Sequence, residues 1–224
     1  MTRTPKAKER LIEAGIDVFG QFGFNGATTR MIAQAAEVNI SAIPYYFNGK
    51  EGLYHAVVEH ICNIVQLQIR SGLESIEERF KNSAVTPQEA LGLLERLMSK
   101  MIDFMLGSAQ APRFMRIILR EQLDPSAAYD IIFNQIMAPV NTGIAKIVTA
   151  VTPVESEREA RLRALMIMGQ ILAFRVAREA IVRILDLKGY SQQETAEIKK
   201  MILEQTQAAL NGLAWQFRNK RRNQ

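Results

Sequence analysis

Apolar residues recur along most of this chain at spacings of three and four, which is the period of an α-helix. The first such set is Leu11, Gly15, Val18, Phe19 and Phe22. It predicts a helix over about residues 5–22, which Gly20 and Gly23 bring to an end. No segment shows the strict alternation of a β-strand, so we expect an all-α protein.

Two short helices are predicted next. Thr28 or Thr29 can cap a helix over about residues 30–36, because a threonine hydroxyl accepts a bond from an orphan backbone N–H. Residues 37–39 form a tight turn, and a third helix follows over about residues 40–47. Such a pair of helices is how a helix-turn-helix places its second helix in the major groove of DNA.

The third helix raises two local problems. Glu37 lies in the turn, and if its φ is positive it costs about 1 kcal/mol. Asn39 is a good cap, but Pro44 is then the fifth helical residue and its ring crowds a carbonyl. Either the helix begins later, with Ser41 as its cap, or its first turn is distorted.

The remainder of the chain is predicted to be long helices. Their expected spans are about 50–70 or beyond, 87–106, 113–122, 125–150 with a kink at Pro139, 156–187, and 191–218 behind a capping box at Ser191. We therefore expect two domains: a three-helix head over residues 1–50 and a helical body over residues 51–224. The fourth helix, about residues 50–70, links them.

The net charge of +5 is unevenly placed. Residues 1–50 carry six bases and four acids, and residues 218–224 carry four bases and no acid. The N-terminal excess suits contact with phosphates, whereas a basic tail is more often simply solvated.

Other chemistries have little support. His55 and His60 fall on different helix faces, and Cys62 has no cysteine partner for a disulfide. No glycine-rich phosphate loop or catalytic triad pattern is visible, so we expect no enzyme activity, no metal and no cofactor. The longest apolar stretch, residues 166–174, is far shorter than the roughly 20 residues of a membrane span, and we expect a cytoplasmic protein.

The third helix offers a polar face for DNA. Ile43 and Phe47 belong to the core, which leaves an outward set of Ser41, Ala42, Tyr45 and Tyr46. Tyrosine hydroxyls can bond phosphates and their rings can contact the groove, although Tyr46 could instead pack against the first helix. Lys50 can meet a phosphate or serve only as a solvated residue at a helix start.

The head resembles the TetR family of transcriptional regulators. The matching residues are Thr28-Thr29, Ile32-Ala33, Ala36-Glu37-Val38-Asn39, Tyr46-Phe47 and Lys50-Glu51-Gly52-Leu53, with Glu37 and Pro44 departing from the family pattern. The resemblance implies that Thr29, Ser41, Tyr45, Tyr46 and Lys50 contact DNA. Arg30 and Ala42, beside them, complete the predicted set.

The body looks like the C-terminal domain of the CecR-type branch of that family. The residues that carry this resemblance are Arg120–Tyr129 and Gly169–Arg175. It implies a homodimer through the last two helices and a ligand cavity in the body. For the interface we chose Ile167, Ile171, Leu203, Leu210 and Leu213.

A small-molecule effector pocket is predicted from the apolar and charged residues of the body. Its candidates are Met101, Phe104, Met105, Arg116, Arg120, Met168 and Arg175. Methionines adapt to varied apolar ligands, and an arginine could receive an anionic or polar effector. Two alternatives stay open: the methionines are plain core, and the charges form an internal ion-pair network.

Together these features predict a ligand-responsive transcriptional regulator, a repressor released from a pseudo-palindromic operator by a small molecule. The alternative is a helical carrier of apolar molecules with no DNA function. Steep salt dependence of DNA binding would distinguish the two.

Overall fold

The computed structural model describes residues 6–82 and 84–222, and this part of the chain is helical and contains no strand. The predicted all-α class is confirmed. The helices are α1 (Ala7–Gly26), α2 (Thr29–Ala35), α3 (Ala42–Phe47), α4 (Lys50–Asn82), α5 (Pro87–Gly107), α6 (Ala111–Leu123), α7 (Tyr129–Ile132), α8 (Ala138–Val151), α9 (Glu157–Val176), α10 (Arg178–Ile184) and α11 (Gln192–Arg222). The predicted basic tail, residues 218–224, lies largely outside the described side chains.

The chain divides into two compact units. Unit 1 comprises the residues up to Gln66 together with Ala109–Ile136, and unit 2 comprises Leu67–Ser108 and Met137–Gln224. Unit 1 therefore contains α6 and α7 as well as the three-helix head. A domain boundary at residue 50 stays a prediction, but the contacts group part of the expected body with the head.

Unit 1 is built on a close crossing of α1 and α4. A Cβ on Gly15 would lie 2.7 Å from Cγ2 of Val57, so only glycine allows this approach. The buried side chains around the crossing are Leu11, Phe19, Ile32, Ile43, Leu53, Ile61, Phe114 and Ile117. Gly23 adopts a φ of 73° inside α1 and kinks its last turn, near the end that the sequence predicted.

The start of α3 explains how Pro44 is tolerated. The helix begins at Ala42, so Pro44 lies in the first turn, where its missing N–H has no helical partner to lose. Asn39 does not cap the helix as expected; its Oδ1 accepts bonds from the backbone N–H and the hydroxyl of Ser41 at 2.9 and 2.8 Å. The later start that the sequence left open is observed, but Ser41 makes no side-chain cap bond there.

Unit 2 packs α5, α8, α9 and α11 around an apolar core. Helix α5 begins with a capping box in which Thr86 and Glu89 satisfy each other's backbone N–H groups. Gly72 on α4 and Gly143 on α8 give these helices close contact with their neighbours, since an added Cβ would lie 3.0 and 3.2 Å from leucine carbons. The buried core includes Leu94, Leu97, Met98, Ile102, Ile144, Ile147, Val148, Ile171, Ile198 and Ile202.

Two long predicted helices are each divided. The predicted helix over 125–150 becomes α7, a π-helical turn over Phe133–Met137, and α8. Pro139 has no N–H for the carbonyl of Gln135, and the side-chain amide of Gln66 donates to that oxygen at 2.9 Å. The predicted helix over 156–187 breaks at Ala177 between α9 and α10.

One helical stretch among the described residues, Tyr129–Val151, is long and apolar enough by length and composition to cross a bilayer. This differs from the stretch singled out from the sequence, residues 166–174. Val140, Ile144 and Val148 on this stretch are buried in unit 2, as expected for the core helix of a folded domain.

Candidate nucleic-acid interface

The outer face of α3 carries two exposed tyrosines. Tyr45 is 81% exposed and Tyr46 is 43% exposed, whereas Ile43 and Phe47 on the other face are buried. The two tyrosine rings meet edge to face with their centres 4.8 Å apart. The helix thus presents an exposed aromatic surface with two hydroxyl groups, which suits phosphate and groove contacts.

The turn before α3 is held by a residue that the sequence analysis missed. Glu37 has a φ of 52°, the left-handed conformation that a side chain disfavours. Nη2 of Arg10, on α1, donates to the Glu37 carbonyl at 2.9 Å. Arg10 therefore fixes the strained turn against α1, and no sequence spacing reveals this long-range contact.

The other predicted DNA residues surround α3 with different local roles. Thr28 caps α2 by accepting from the Met31 N–H at 3.2 Å, which leaves Thr29 half-buried and Arg30 exposed in the first turn. Ser41 is exposed and Ala42 half-buried at the start of α3. The Lys50 ammonium lies 4.6 Å from the centre of the Phe24 ring, a cation–π contact that orients it.

Helix α6 is fastened to α1 by an arginine. Nε and Nη2 of Arg113 donate to the two carboxylate oxygens of Asp17 at 2.6 and 2.9 Å, and Nη2 also contacts Glu13 at 3.2 Å. The hydrogen bond to Asp17 is the main cause of the raised pKa of Arg113. This bidentate pair fixes the angle as well as the distance between the two helices.

A second fastening joins α6 to α1 and α4. Nη2 of Arg120 donates to the carbonyl of Gln21 at 3.1 Å. Beside it, the buried carboxylate of Glu121 accepts a 2.6 Å bond from the hydroxyl of Tyr54 and a 3.0 Å bond from the backbone N–H of Ser126. Burial, and then the hydrogen bond to Glu121, raise the pKa of Tyr54.

These contacts show how Arg120 and Glu121 are held within unit 1. The hydrogen-bond partners named above are uncharged groups and not opposite charges, so the ion-pair network and the effector role both stay predictions. Arg116 also lies on α6, where its Cβ would be 3.5 Å from a Cβ added to Gly20. The hydrogen bonds of Arg120 and Glu121 thus link α6 to α1 and to α4.

The seven candidate residues of the effector pocket are divided between the two units in the described part of the chain. Arg116 and Arg120 belong to unit 1, and the other five candidates belong to unit 2. In unit 2, Met101 is buried, and Phe104, Met105, Met168 and Arg175 are half-buried. A groove of about 450 Å³ between α5 and α11 is lined by other residues, among them Leu91, Met98, Lys199 and Leu203. The pocket stays a prediction.

The predicted dimer residues need correction. Ile167, Ile171 and Leu210 are at most 5% exposed in the single chain, so they pack inside unit 2 and have no surface to offer a partner. Leu203 and Leu213 are half-buried. The 3.6-residue period identifies apolar faces on α9 and α11 but does not say which face points inward, and Ile167, Ile171 and Leu210 lie on the inward one.

The described residues contain no group of three or more histidine, cysteine or acidic side chains suited to a metal ion. Burial raises the pKa of the Cys62 thiol to about 12, so this thiol stays protonated and unreactive near neutral pH.

Known protein families match the N-terminal helices and the later helices of this chain separately. Residues 11–57 match the model of the bacterial regulatory proteins of the TetR family. Residues 90–213, more than half of the chain, match the C-terminal domain of the HTH-type transcriptional dual regulator CecR. CecR from Shigella flexneri is 31% identical over 210 residues, which cover 93% of each protein.

Two solved structures have a similar fold. AibR, in complex with isovaleryl coenzyme A and operator DNA, is similar at a TM-score of 0.64 and 14% identity, over 88% of this chain and 96% of that one. The transcriptional regulator FadR from Bacillus subtilis, in complex with stearoyl-CoA, is similar at a TM-score of 0.55 and 20% identity, over the same shares of the two chains.

Proposed function

Because the chain belongs to the TetR family of transcriptional regulators, with a CecR-type C-terminal domain, we propose that it represses genes as a homodimer. It is a ligand-responsive DNA-binding regulator. In this proposal it acts in the cytoplasm, and each protomer places α3 in the major groove of one half of a pseudo-palindromic operator. The two half-sites then lie about one helical turn apart.

The exposed pair of tyrosines on α3 is the observation that carries this proposal. Tyr45 is 81% exposed, so its ring and hydroxyl are accessible to DNA. The neighbouring Tyr46 ring restrains it, so little side-chain freedom is lost when DNA binds. Lys50 and Arg30 add positive charge for the flanking phosphates.

The exposed faces of α9 and α11 support a dimer. On α9 an apolar stripe at spacings of three and four consists of Leu162, Leu165, Met166, Gly169, Leu172, Ala173 and Val176. On α11 the matching stripe is Met201, Ala208, Gly212 and Trp215. A Cβ added to Gly169 or Gly212 meets nothing within 4 Å, so a partner helix could approach closely. These residues replace the inward-facing set predicted from the sequence.

The response to a ligand can be stated as a difference in affinity. An effector releases the operator only if it binds the DNA-free state more tightly than the DNA-bound state. Helix α6 is a suitable element to distinguish these states, because Arg113 and Arg120 fasten it directly to α1 of the head. Acyl-CoA molecules are a reasonable first class of effector to test, since AibR and FadR hold them.

Binding to DNA from the chain's own promoter region tests the proposal. Tyr45→Ala should weaken that binding by roughly tenfold, because it removes ring and hydroxyl contacts while the fold is untouched. Leu123→Ala is the matched control: Leu123 is 87% exposed on α6, away from α3. Fluorescence anisotropy with labelled duplex measures both variants, and thermal melting verifies that each is folded.

Two results would contradict the proposal. If Tyr45→Ala binds as tightly as the native chain, α3 is not the reading helix. If the native chain shows weak binding that salt does not change, the carrier hypothesis becomes the better one, since a carrier lacks the counterion release of a DNA complex.

A further inference from the structure

Two arginines at the junction of α9 and α10 have no acidic partner among the described residues. Arg175 and Arg178 are both half-buried, and neither forms an ion pair in the described part of the chain. Other arginines on the same two helices behave differently. Arg161, Arg163 and Arg183 each pair with a glutamate four residues earlier, at 2.7, 2.6 and 2.9 Å.

A loop holds the guanidinium group of Arg178 in place. The Tyr190 ring centre lies 5.6 Å from Cζ of Arg178, and the Tyr190 hydroxyl donates to the carbonyl of Phe174 at 2.9 Å. Gly189 has a φ of 156°, and a Cβ there would lie only 3.0 Å from Nη2 of Arg178. The loop therefore packs closely against the guanidinium group of Arg178.

This arrangement is unfavourable without a counter-charge. Burial is the main cause of the lowered pKa of Arg175, and the neighbouring charge of Arg178 lowers it further. Both arginines are half-buried and have lost part of their hydration, and like charges three residues apart repel each other. A cation that has lost hydration and has no counter-charge marks a candidate binding site for an anion.

We propose that Arg175 and Arg178 form a binding site for an anionic oxygen group, a phosphate or a carboxylate, of a small molecule. Guanidinium groups are suited to this task because their planar N–H donors match two oxygens of either anion. Tyr190 fixes Arg178 from one side, which leaves its remaining donors for the anion. That the bound molecule also controls DNA binding rests on the proposed function; the binding itself does not.

The site is tested on the full-length protein by thermal melting with added sodium phosphate or sodium octanoate, against sodium chloride at equal ionic strength. We expect at least one anion to raise the melting temperature of the native chain, since a ligand of the folded state stabilises it. Arg175→Gln and Arg178→Gln should each weaken that anion's affinity by roughly tenfold or more. Arg178→Lys should fall between, because it keeps the charge but not the paired donors.

Arg183→Gln is the control, since Arg183 is an exposed arginine on α10 that pairs with Glu179. Its response to the anion should equal that of the native chain. Without anion, Arg175→Gln should melt no lower than the native chain, because it relieves the repulsion between the two cations and gives up no ion pair or hydrogen bond in the described part of the chain, whereas Arg178→Gln also gives up the contact with Tyr190. The Arg175→Gln result distinguishes a binding site from an ordinary stabilising contact.

Three results overturn the site. The first is that neither anion raises the native melting temperature, and the second is that both glutamine variants respond like the native chain. The third is that the variants change dimer formation while no anion binds, which would mean that an acid of a second copy occupies the pair. Anisotropy with promoter DNA is measured in parallel. Absence of DNA binding by the native chain without anion would reject the proposed function and leave the anion result standing.

Discussion

The hydrogen bond between Tyr54 and Glu121 offers the sharpest test of how α6 is attached to the head. Tyr54→Phe removes one oxygen atom and leaves the ring, whose contacts with Phe19 and Phe24 stay possible. Glu121 then keeps only its bonds from Ser126. Because the carboxylate is 3% exposed, water cannot easily replace the lost donor.

The expected loss follows from the type of bond. A hydrogen bond to a charged group contributes about 1.5–3 kcal/mol, and the 2.6 Å distance places this one among the short ones. For a chain of this length each kcal/mol shifts the melting temperature by about 2–4 °C. Tyr54→Phe should therefore melt lower by roughly 3–12 °C.

Calorimetry at a fixed protein concentration measures this loss, since a dimer's melting temperature depends on concentration. Tyr45→Phe is the matched control: it removes the same atom from a tyrosine that is 81% exposed, so its stability should stay within about 0.5 kcal/mol of the native chain. A Tyr54→Phe loss no larger than that of Tyr45→Phe would refute the argument.

The hydrogen bond between Tyr54 and Glu121 also makes the stability of the fold depend on pH above about 10. The pKa of Tyr54 is raised in the folded state, whereas in the unfolded chain a tyrosine titrates near pH 10. As the pH rises above about 10, the unfolded form is stabilised by losing a proton that the folded form retains. The stability difference between the native chain and Tyr54→Phe should therefore be constant below about pH 9 and shrink above pH 10.

Two further predictions concern the dimer and the DNA backbone. Met166→Glu, which places a charge in the exposed stripe of α9, should raise the dimer dissociation constant roughly 100-fold in analytical ultracentrifugation. An equal effect of Leu123→Glu, outside the stripe, would contradict this. Lys50→Ala should weaken binding to all duplexes alike and reduce the slope of affinity against salt by about one unit. A loss limited to one base-pair preference would instead make Lys50 a base-reading residue.

Much of unit 1 could be predicted because its signals are local. The caps, the turn and the apolar spacing that define α1 to α3 lie within a few residues of one another. The observed start of α3 at Ala42 was among the alternatives, because an earlier start would place Pro44 beyond the first turn of the helix. The exposure of Tyr45 and Tyr46 follows from the same helical period.

The contacts across unit 1 could not be predicted in this way. Arg10 and Glu37 are 27 residues apart, and Arg113 and Asp17 are 96 apart. Nothing in the spacing of a single sequence says which distant charges meet. The predicted dimer face shows the related weakness of periodicity: it finds the apolar faces of α9 and α11 but does not tell which face points inward.

Because α6 belongs to the same unit as the head, an effector that moves α6 must break specific contacts. A ligand that moves α6 relative to α1 or α4 has to pull Arg113 from Asp17 or separate Glu121 from Tyr54. At intermediate positions Glu121 would keep its bonds from Ser126 but lack the donor that Tyr54 supplies, and a buried charge that lacks a donor is costly. The motion should therefore lead to a second set of partners and not to a continuum of tilts, which is the condition for a two-state switch.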